Sequence, residues 1–302
     1  MKSQKIENTV SIVIVNFNAG LGILDCVSSI IETRYPFEII VVDNASQDDS
    51  VERLTAAFGG LKQLHIVQND ANLGFAKGCN IGARKATSEY ILFLNPDCVI
   101  YPETIPALLE VLQRHPDAGM VGGMLLNPDG TEQAGGRRAM PTPWKVLVRL
   151  IGLFHLKNRC PEIFSDYLLN QDEPKDQEIE VEATSGACMM MSRKAMEAAG
   201  CFDEGYFLHV EDLDCCMRMQ RNGFKVFFVP KAKVTHQKGA CGNDRPVFVE
   251  LHKHRGMIRF YDLYYAHQYP ILFMVLLSGA IWAHFMVVAP LKLLKQKTQP
   301  NR

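Results

Sequence analysis

Two carboxylates stand where apolar runs end. Tyr90-Ile91-Leu92-Phe93 leads into Leu94-Asn95-Pro96-Asp97, and Ile39-Ile40-Val41-Val42 ends in Asp43-Asn44. An acid carried into a turn by a buried strand can recognise a ligand or hold a cation. Asp43 has the chemistry to accept the imide N–H of a uracil or thymine ring, with Phe17 packing beside the base. The plainer alternative is an acid-rich turn, SQDDS, in which Asp48 or Asp49 caps the next helix. Asp97 alone is a thin cation site, because hard divalent ions take several oxygen ligands. Two diphosphate oxygens and a nitrogen of His236 would complete an O/N set suited to Mg2+ or Mn2+. The alternative is a simple Asn-Pro-Asp turn.

A third cluster, Glu211, Asp212 and Asp214, crowds three acids into four positions. If Asp212 opens a helix, Leu213, Cys216 and Met217 fall on its buried side and Arg218 reaches Asp214 at i,i+4. Asp212 is then left free at the helix start, where a carboxylate can serve as general base or merely as a cap. Glycines 74, 78 and 82 recur every fourth residue, a smooth helical face for close packing. Their spacing is not the G-x-G-x-x-G of a dinucleotide site.

Strands and helices must position these groups. Val10–Val15 reads as a strand buried on both faces. A helical pattern follows through Leu24, Val27, Ile30 and Ile31, then strand Glu38–Val42, helix Ser50–Phe58, strand His65–Val67, helix Ala76–Ala86 and strand Tyr90–Leu94. This alternation predicts an α/β domain with a mostly parallel sheet, and ligands bound beyond its carboxyl edge. Gly119–Leu126, Glu180–Met191 and Val226–Val229 read as further strands. Pro141–Gln177 has few strand signals, and a loop of that length is functional or mobile. Leu251–Tyr265 reads as a basic, aromatic helix.

The 302 residues are 47% hydrophobic, ample for a core. A net charge of -1 argues against a nucleic-acid binder. Nine cysteines without a CxxC pair fit reduced thiols in a cytosolic compartment. The polar start MKSQKIENTV shows no signal peptide. Ile271–Leu291 holds no Asp, Glu, Lys or Arg, about the ~20 apolar residues that cross a bilayer. Basic residues flank it on both sides: Lys253, Arg255 and Arg259 before, Lys292, Lys295 and Lys297 after. That symmetry favours a segment lying in one leaflet over a span with a charge bias. A helix docked on the soluble domain or on a partner subunit is the alternative.

In order, VSIVIVNFN, VVDNASQDDS, NLGFAKGCNIG, YILFLNPD, SGACMMMSR and FDEGYFLHVEDLDCCMRM resemble the inverting family 2 glycosyltransferases of the GT-A fold. The likeness is to rhamnosyltransferase-type members that build bacterial cell-surface polysaccharides, and it covers about residues 8 to 240. The resemblance implies that Phe17 and Asp43 hold the nucleotide base, with Gly74, Asn80 and Asn95 also on the nucleotide side. It implies that Asp97 binds the diphosphate metal, completed by His236, and that Asp212 is the catalytic base. Ser185, Gly186 and Ala187, with Glu211, would line the acceptor side. The fold's metal motif is commonly Asp-x-Asp; Asn95 replaces its first acid, which leaves a weaker site.

The expected reaction moves a sugar, rhamnose by preference, from a dTDP- or UDP-sugar to a lipid-linked saccharide. The metal is Mg2+ or Mn2+, and no nucleic acid takes part. UDP-glucose, UDP-galactose or UDP-N-acetylhexosamine donors use the same frame. The expected division is a catalytic domain at 1–242 and membrane-associating helices at 243–302, on the cytoplasmic face of the inner membrane. A nucleotidyltransferase usually offers a basic glycine-rich triphosphate loop near its start, and VNFNAGLG has no Lys or Arg. A non-catalytic sugar-binding module has no need of Asp97, Asp212 and His236 together.

Overall fold

The apolar run at the start forms β1 (Val10–Asn16), buried along its whole length. Alternate side chains serve opposite faces of the sheet, as the pleat demands. Ile12 and Ile14 join one core with Ile39, Val41, Leu92 and Leu94. Val13 and Val15 join the other with Ile40, Val42, Ile91 and Phe93. Two buried faces explain why these strands read as unbroken apolar runs rather than alternating ones. Each fully buried aliphatic side chain contributes about 1.5–3 kcal/mol.

The computed structural model describes residues 9–156, 159–164, 166–170, 176–237 and 245–298. The polar start 1–8, the 242/243 boundary and the side chains of Lys295 and Lys297 lie outside the described residues. The first half continues with α1 (Gly22–Glu32), β2 (Phe37–Asp43), α2 (Ser50–Phe58), β3 (Leu64–Gln68), α3 (Phe75–Lys85) and β4 (Tyr90–Leu94). Then come β5 (Cys98–Ile100), α4 (Thr104–Arg114), β6 (Ala118–Leu126), β7 (Arg137–Arg138), α5 (Pro143–Leu150) and α6 (Pro161–Phe164). The second half holds β8 (Ile179–Glu180), β9 (Ala183–Thr184), β10 (Cys188–Ser192), α7 (Arg193–Ala199), α8 (Glu211–Arg221), β11 (Lys225–His236), α9 (Pro246–Tyr264) and α10 (Ile271–Thr298).

The main sheet has the order β3-β2-β1-β4-β10-β6-β11-β5, with β8 on β11. β3, β2, β1 and β4 run parallel, as do β6 and β11. β10 is inserted antiparallel between β4 and β6. The sequence suggests one strand over Glu180–Met191, but the structure breaks it into β8, β9 and β10. The second break falls at Ser185-Gly186-Ala187, where the chain turns between two sheets. β11 outruns the predicted Val226–Val229: a register shift between Val229 and Lys233, around Pro230, lets it continue to His236. Helices α4 and α7 carry no expectation from the sequence, and Pro141–Gln177 contains α5 and α6.

The tail is a helical hairpin. α10 returns along α9, with His254 Nε2 3.0 Å from His284 Nδ1 and Lys292 bonded to Glu250. Met274, Leu277 and Ile281 form its buried seam, while Ile271, Leu272, Val275, Leu276, Met286 and Val287 stay exposed.

α3 lies close on β1 because two of its glycines are bare. A Cβ on Gly78 would stand 2.7 Å from Val15 Cγ1, and one on Gly82 2.3 Å from Val13 Cγ1. The expectation of a packing face therefore holds for these two. Gly82→Ala is expected to destabilise the protein by about 1–3 kcal/mol through overpacking. The readout is a lower urea midpoint at unchanged slope.

Candidate active site

β2, β1 and β4 are neighbours, so Asp43, Asn16 with Phe17, and the Asp97 turn share one carboxyl edge. Asp43 is buried. Its Oδ1 accepts from Asn16 Nδ2 (2.8 Å) and Ser46 Oγ (2.5 Å), and among the described residues its Oδ2 accepts only the Ser46 N–H (3.1 Å). Oδ2 thus keeps a lone pair for a ligand N–H. Phe17 beside it is half-buried. Asp49 occupies the α2 cap position without a side-chain cap bond. Asp48 accepts from Ser50 N (3.2 Å) and Gly20 N (2.8 Å), tying the β1 loop to this turn.

At the next strand end, Asp97 Oδ1 lies 3.3 Å from His236 Nε2. Gln133 decides what that contact is. Its Nε2 donates to Asn127 Oδ1 (3.0 Å) and to the His236 carbonyl (3.3 Å). Its Oε1 therefore faces His236 Nδ1, 2.7 Å away, as an acceptor. This network assigns the neutral ring's proton to Nδ1 and leaves the Nε2 lone pair facing a carboxylate. Two acceptors at that distance call for a cation or proton between them. Asn95 Oδ1, in the same turn as Asp97, is buried without a hydrogen-bond partner among the described residues. Asp97, His236 and Cys98 place ligand atoms within 4.8 Å of one another. Cys98 is a poor ligand, because its thiol donates to Ala187 O (3.4 Å) and burial pushes its pKa well up. The oxygen and imidazole donors fit Mg2+ or Mn2+.

The turn at Ser185–Ala187 joins this corner to the acids of α8. Asn95 N donates to Ala187 O (2.9 Å), and Gly186 N donates to Asp212 Oδ2 (3.1 Å). The sequence suggests a free Asp212, but the structure pairs it. Arg138 Nη2 lies 2.5 Å from Asp212 Oδ2 and also donates to Thr184 O (2.7 Å). Burial pushes the Asp212 carboxyl up, but the Arg138 charge and hydrogen bond, with the N–H groups of Gly186 and Leu213, outweigh it. The net pKa lies below the usual aspartate value. Glu211 moves the other way: burial and the Asp212 charge hold its carboxyl well above the usual range. Asp214 pairs with Arg218 at 2.7 Å, as its i,i+4 spacing suggests, and also accepts from Tyr264 Oη at 2.7 Å. The predicted buried side of α8 needs one change, since Met217 is half-buried whereas Cys215 and Met219 are buried.

Three other expected site residues lie packed within the protein. Asn80, expected on the nucleotide side, instead binds the backbone of Phe202 in both directions (2.9 and 3.0 Å) and Glu204 (3.0 Å). Gly74 has φ +86° and lies under Phe207, whose carbonyl oxygen a Cβ would meet at 2.5 Å. Glu211, expected to line the acceptor side, is only 5% exposed. Conversely, Asn16, Gln133 and Arg138 escape sequence reasoning. Asn16 directly follows the predicted strand Val10–Val15 and lies opposite Asp43, a signal that pairing register could have revealed. Gln133 and Arg138 are remote in sequence from their partners and carry no such signal.

A family model described as Glycosyl transferase family 2 matches residues 11–200. N-acetylglucosaminyl-diphospho-decaprenol L-rhamnosyltransferase of Mycobacterium tuberculosis is 26% identical over 300 residues, covering 93% of this chain and 94% of that protein. Among solved structures, GalNAc-T7 with UDP, GalNAc and Mn2+ superposes with a TM-score of 0.63 at 16% identity. The match covers 87% of this chain and 49% of that one, so this chain spans about half of it. A mannosyltransferase from Pyrobaculum calidifontis in complex with GDP-Man and Mn2+ gives a TM-score of 0.56 at 16% identity, over 97% and 76%. These likenesses establish the GT-A fold.

The Arg138–Asp212 pair yields a test of stability against pH. Both side chains are largely buried, at 15% and 12% exposure. Arg138→Met should cost about 3 kcal/mol near neutrality, the scale for removing one partner of a buried pair. Because the Asp212 pKa is lowered on folding, its contribution is present above the ~3.9 of an unfolded aspartate and is lost as pH falls through the lowered value. Urea denaturation of both proteins should show the difference in full at neutral pH and narrowing in acid.

Proposed function

The chain belongs to glycosyl transferase family 2, and on that premise we propose that this hexosyltransferase works with inversion on a lipid-linked saccharide. The proposed donor is a dTDP- or UDP-sugar, with rhamnose preferred. The setting is the cytoplasmic face of a membrane, in the building of cell-surface polysaccharide. The observation that carries the proposal is the Ser185–Ala187 turn, which hydrogen-bonds the Asp97 corner on one side and Asp212 on the other. The mycobacterial relative, matched over nearly its full length, supports both the sugar and the lipid-linked acceptor.

Asp43 Oδ2 receives the N–H of the base, and Phe17 packs beside it. Asp97 and His236, with Asn95 near, would hold Mg2+ or Mn2+, which when bound neutralises charge on a leaving diphosphate. Arg138 keeps Asp212 ionised at neutral pH. Among the described residues Asp212 Oδ1 accepts only the Leu213 N–H (2.8 Å), so it retains a lone pair for the acceptor hydroxyl. The acceptor oxygen forms its bond to the anomeric carbon as the bond to the diphosphate breaks on the opposite face. Its proton passes to Asp212. One displacement inverts the anomeric centre.

Catalysis is assigned to residues 1–242 and membrane attachment to 243–302. The apolar stretch Ile271–Leu294 is long enough to cross a bilayer, with mean hydropathy 2.3. Its pairing with α9 argues for another orientation. Lys253 and Arg255 on α9 are exposed, and a span would carry them to membrane depth at high cost. Lying in the plane of one leaflet wets α9 and buries the outer face of α10.

Asp212→Asn should lower kcat by about 10²–10⁴-fold while nucleotide binding persists; wild-type turnover would remove Asp212 from the role. Mass spectrometry with a panel of nucleotide sugars and lipid-linked acceptors identifies the donor. NMR coupling constants of the product should show the inverted centre. Gln133→Leu should weaken Mn2+ binding by about 10–100-fold in calorimetry. An unchanged affinity would take His236 out of the metal set.

A further inference from the structure

The backbone just before Glu211 and Asp212 is strained. His209 has φ +66° and Val210 φ +74°, a left-handed conformation that a β-branched residue rarely adopts. Such geometry persists only where the surroundings over-determine it. Here two helices do so from two sides. On one side α3 starts at Phe75, whose N–H binds Phe207 O at 2.8 Å, with Gly74 pressed against the same carbonyl. On the other side α9 crosses the turn at Gly256. A Cβ there would stand 3.1 Å from Val210 Cγ2 and 3.2 Å from His209 O.

α9 holds the same segment at two further points. Arg259 grips Asp203 with Nε (3.2 Å) and Nη2 (2.7 Å). Tyr264 Oη reaches Asp214 at 2.7 Å, one turn into α8. Residues 203, 209–210 and 214 are thus fastened to one helix, and the acids at 211 and 212 lie between the fastenings.

We propose that α9 belongs to the acceptor-side machinery as well as to the membrane tail, and that Gly256 is a positioning residue. It lets α9 clamp the His209–Val210 turn, and the turn sets the direction in which α8 presents Asp212. The proposal rests on the assignment of Asp212 as base. A side chain at 256 pushes the turn by a few tenths of an ångström and misaligns Asp212, while Asp43 and Asp97, carried by β2 and the turn after β4, stay in place. The effect therefore falls on turnover rather than on donor binding.

The test uses the full-length protein with three substitutions. Gly256→Ala should lower kcat by about 10-fold and Gly256→Val by about 10²-fold, the scale of small misplacements of a catalytic group. UDP or dTDP affinity and the donor KM should stay at wild-type values. Adding Val210→Gly to Gly256→Ala removes the nearest atoms that the new methyl meets, and a glycine, which accepts the positive φ, lets the turn move the His209 carbonyl aside. It should restore most of the lost kcat, a coupling that a double-mutant cycle measures. Wild-type kcat in Gly256→Val would overturn the proposal. So would loss of nucleotide affinity in step with kcat, or failure of Val210→Gly to rescue. Should Asp212→Asn itself turn over normally, the base assignment fails instead, whatever the Gly256 variants do.

Discussion

Everything at the carboxyl edge depends on the antiparallel insertion of β10 between β4 and β6. Its register, Cys188 opposite Leu94 and Met189 opposite Phe93 and Gly122, fixes where the preceding turn emerges. That turn, Ser185–Ala187, is then forced beside Asn95 and beneath Asp212. Its main-chain groups hydrogen-bond in both directions, Ala187 O accepting from Asn95 N and Gly186 N donating to Asp212 Oδ2. The bond to Asn95 is main chain to main chain, and the other carries the Gly186 N–H to the Asp212 carboxylate, so the turn sets the spacing of the two corners. Gly186 sits at the closest point, where a Cβ would already touch Asp212 Cβ at 3.4 Å.

Three acids within four positions of α8 then meet three different fates, and burial is the reason. A buried charge is costly unless it is paired. Asp214 is satisfied by Arg218 and Tyr264, and Asp212 by Arg138 and two N–H groups. Glu211 Oε2 has no partner among the described residues, and burial with the Asp212 charge holds this carboxyl well above its usual range. The Glu211 and Asp212 carboxyls are pushed in opposite directions, which favours the negative charge on Asp212, the residue that faces the Ser185–Ala187 turn. Arg138 costs Asp212 some basicity but secures its ionisation and its aim.

Much of this was legible in the residues. Unbroken β-branched runs mark strands buried on both faces, and β1, β2 and β4 follow them closely. The strand-end acids Asp43 and Asp97 reach one edge because parallel strands all end there. Gly78 and Gly82 show their packing role in their spacing. Legibility failed where a residue's partner is far away in the chain. Gln133 lies 103 positions from His236, and Arg138 lies 74 from Asp212. It failed also where one pattern had two outcomes: Gly74 shares the four-residue spacing but serves a turn, and Asn80 anchors a loop.

By itself, the sequence determined which residues could do chemistry and which elements carry them, since periodicity and strand-end placement are local properties. Only the tertiary structure decided their electrostatic state and aim. Whether Asp212 stands free or paired, which His236 nitrogen faces Asp97, and which segments α9 packs against depend on contacts between distant parts of the chain. Local propensity holds no record of such contacts, because the groups that make them meet only when distant segments pack.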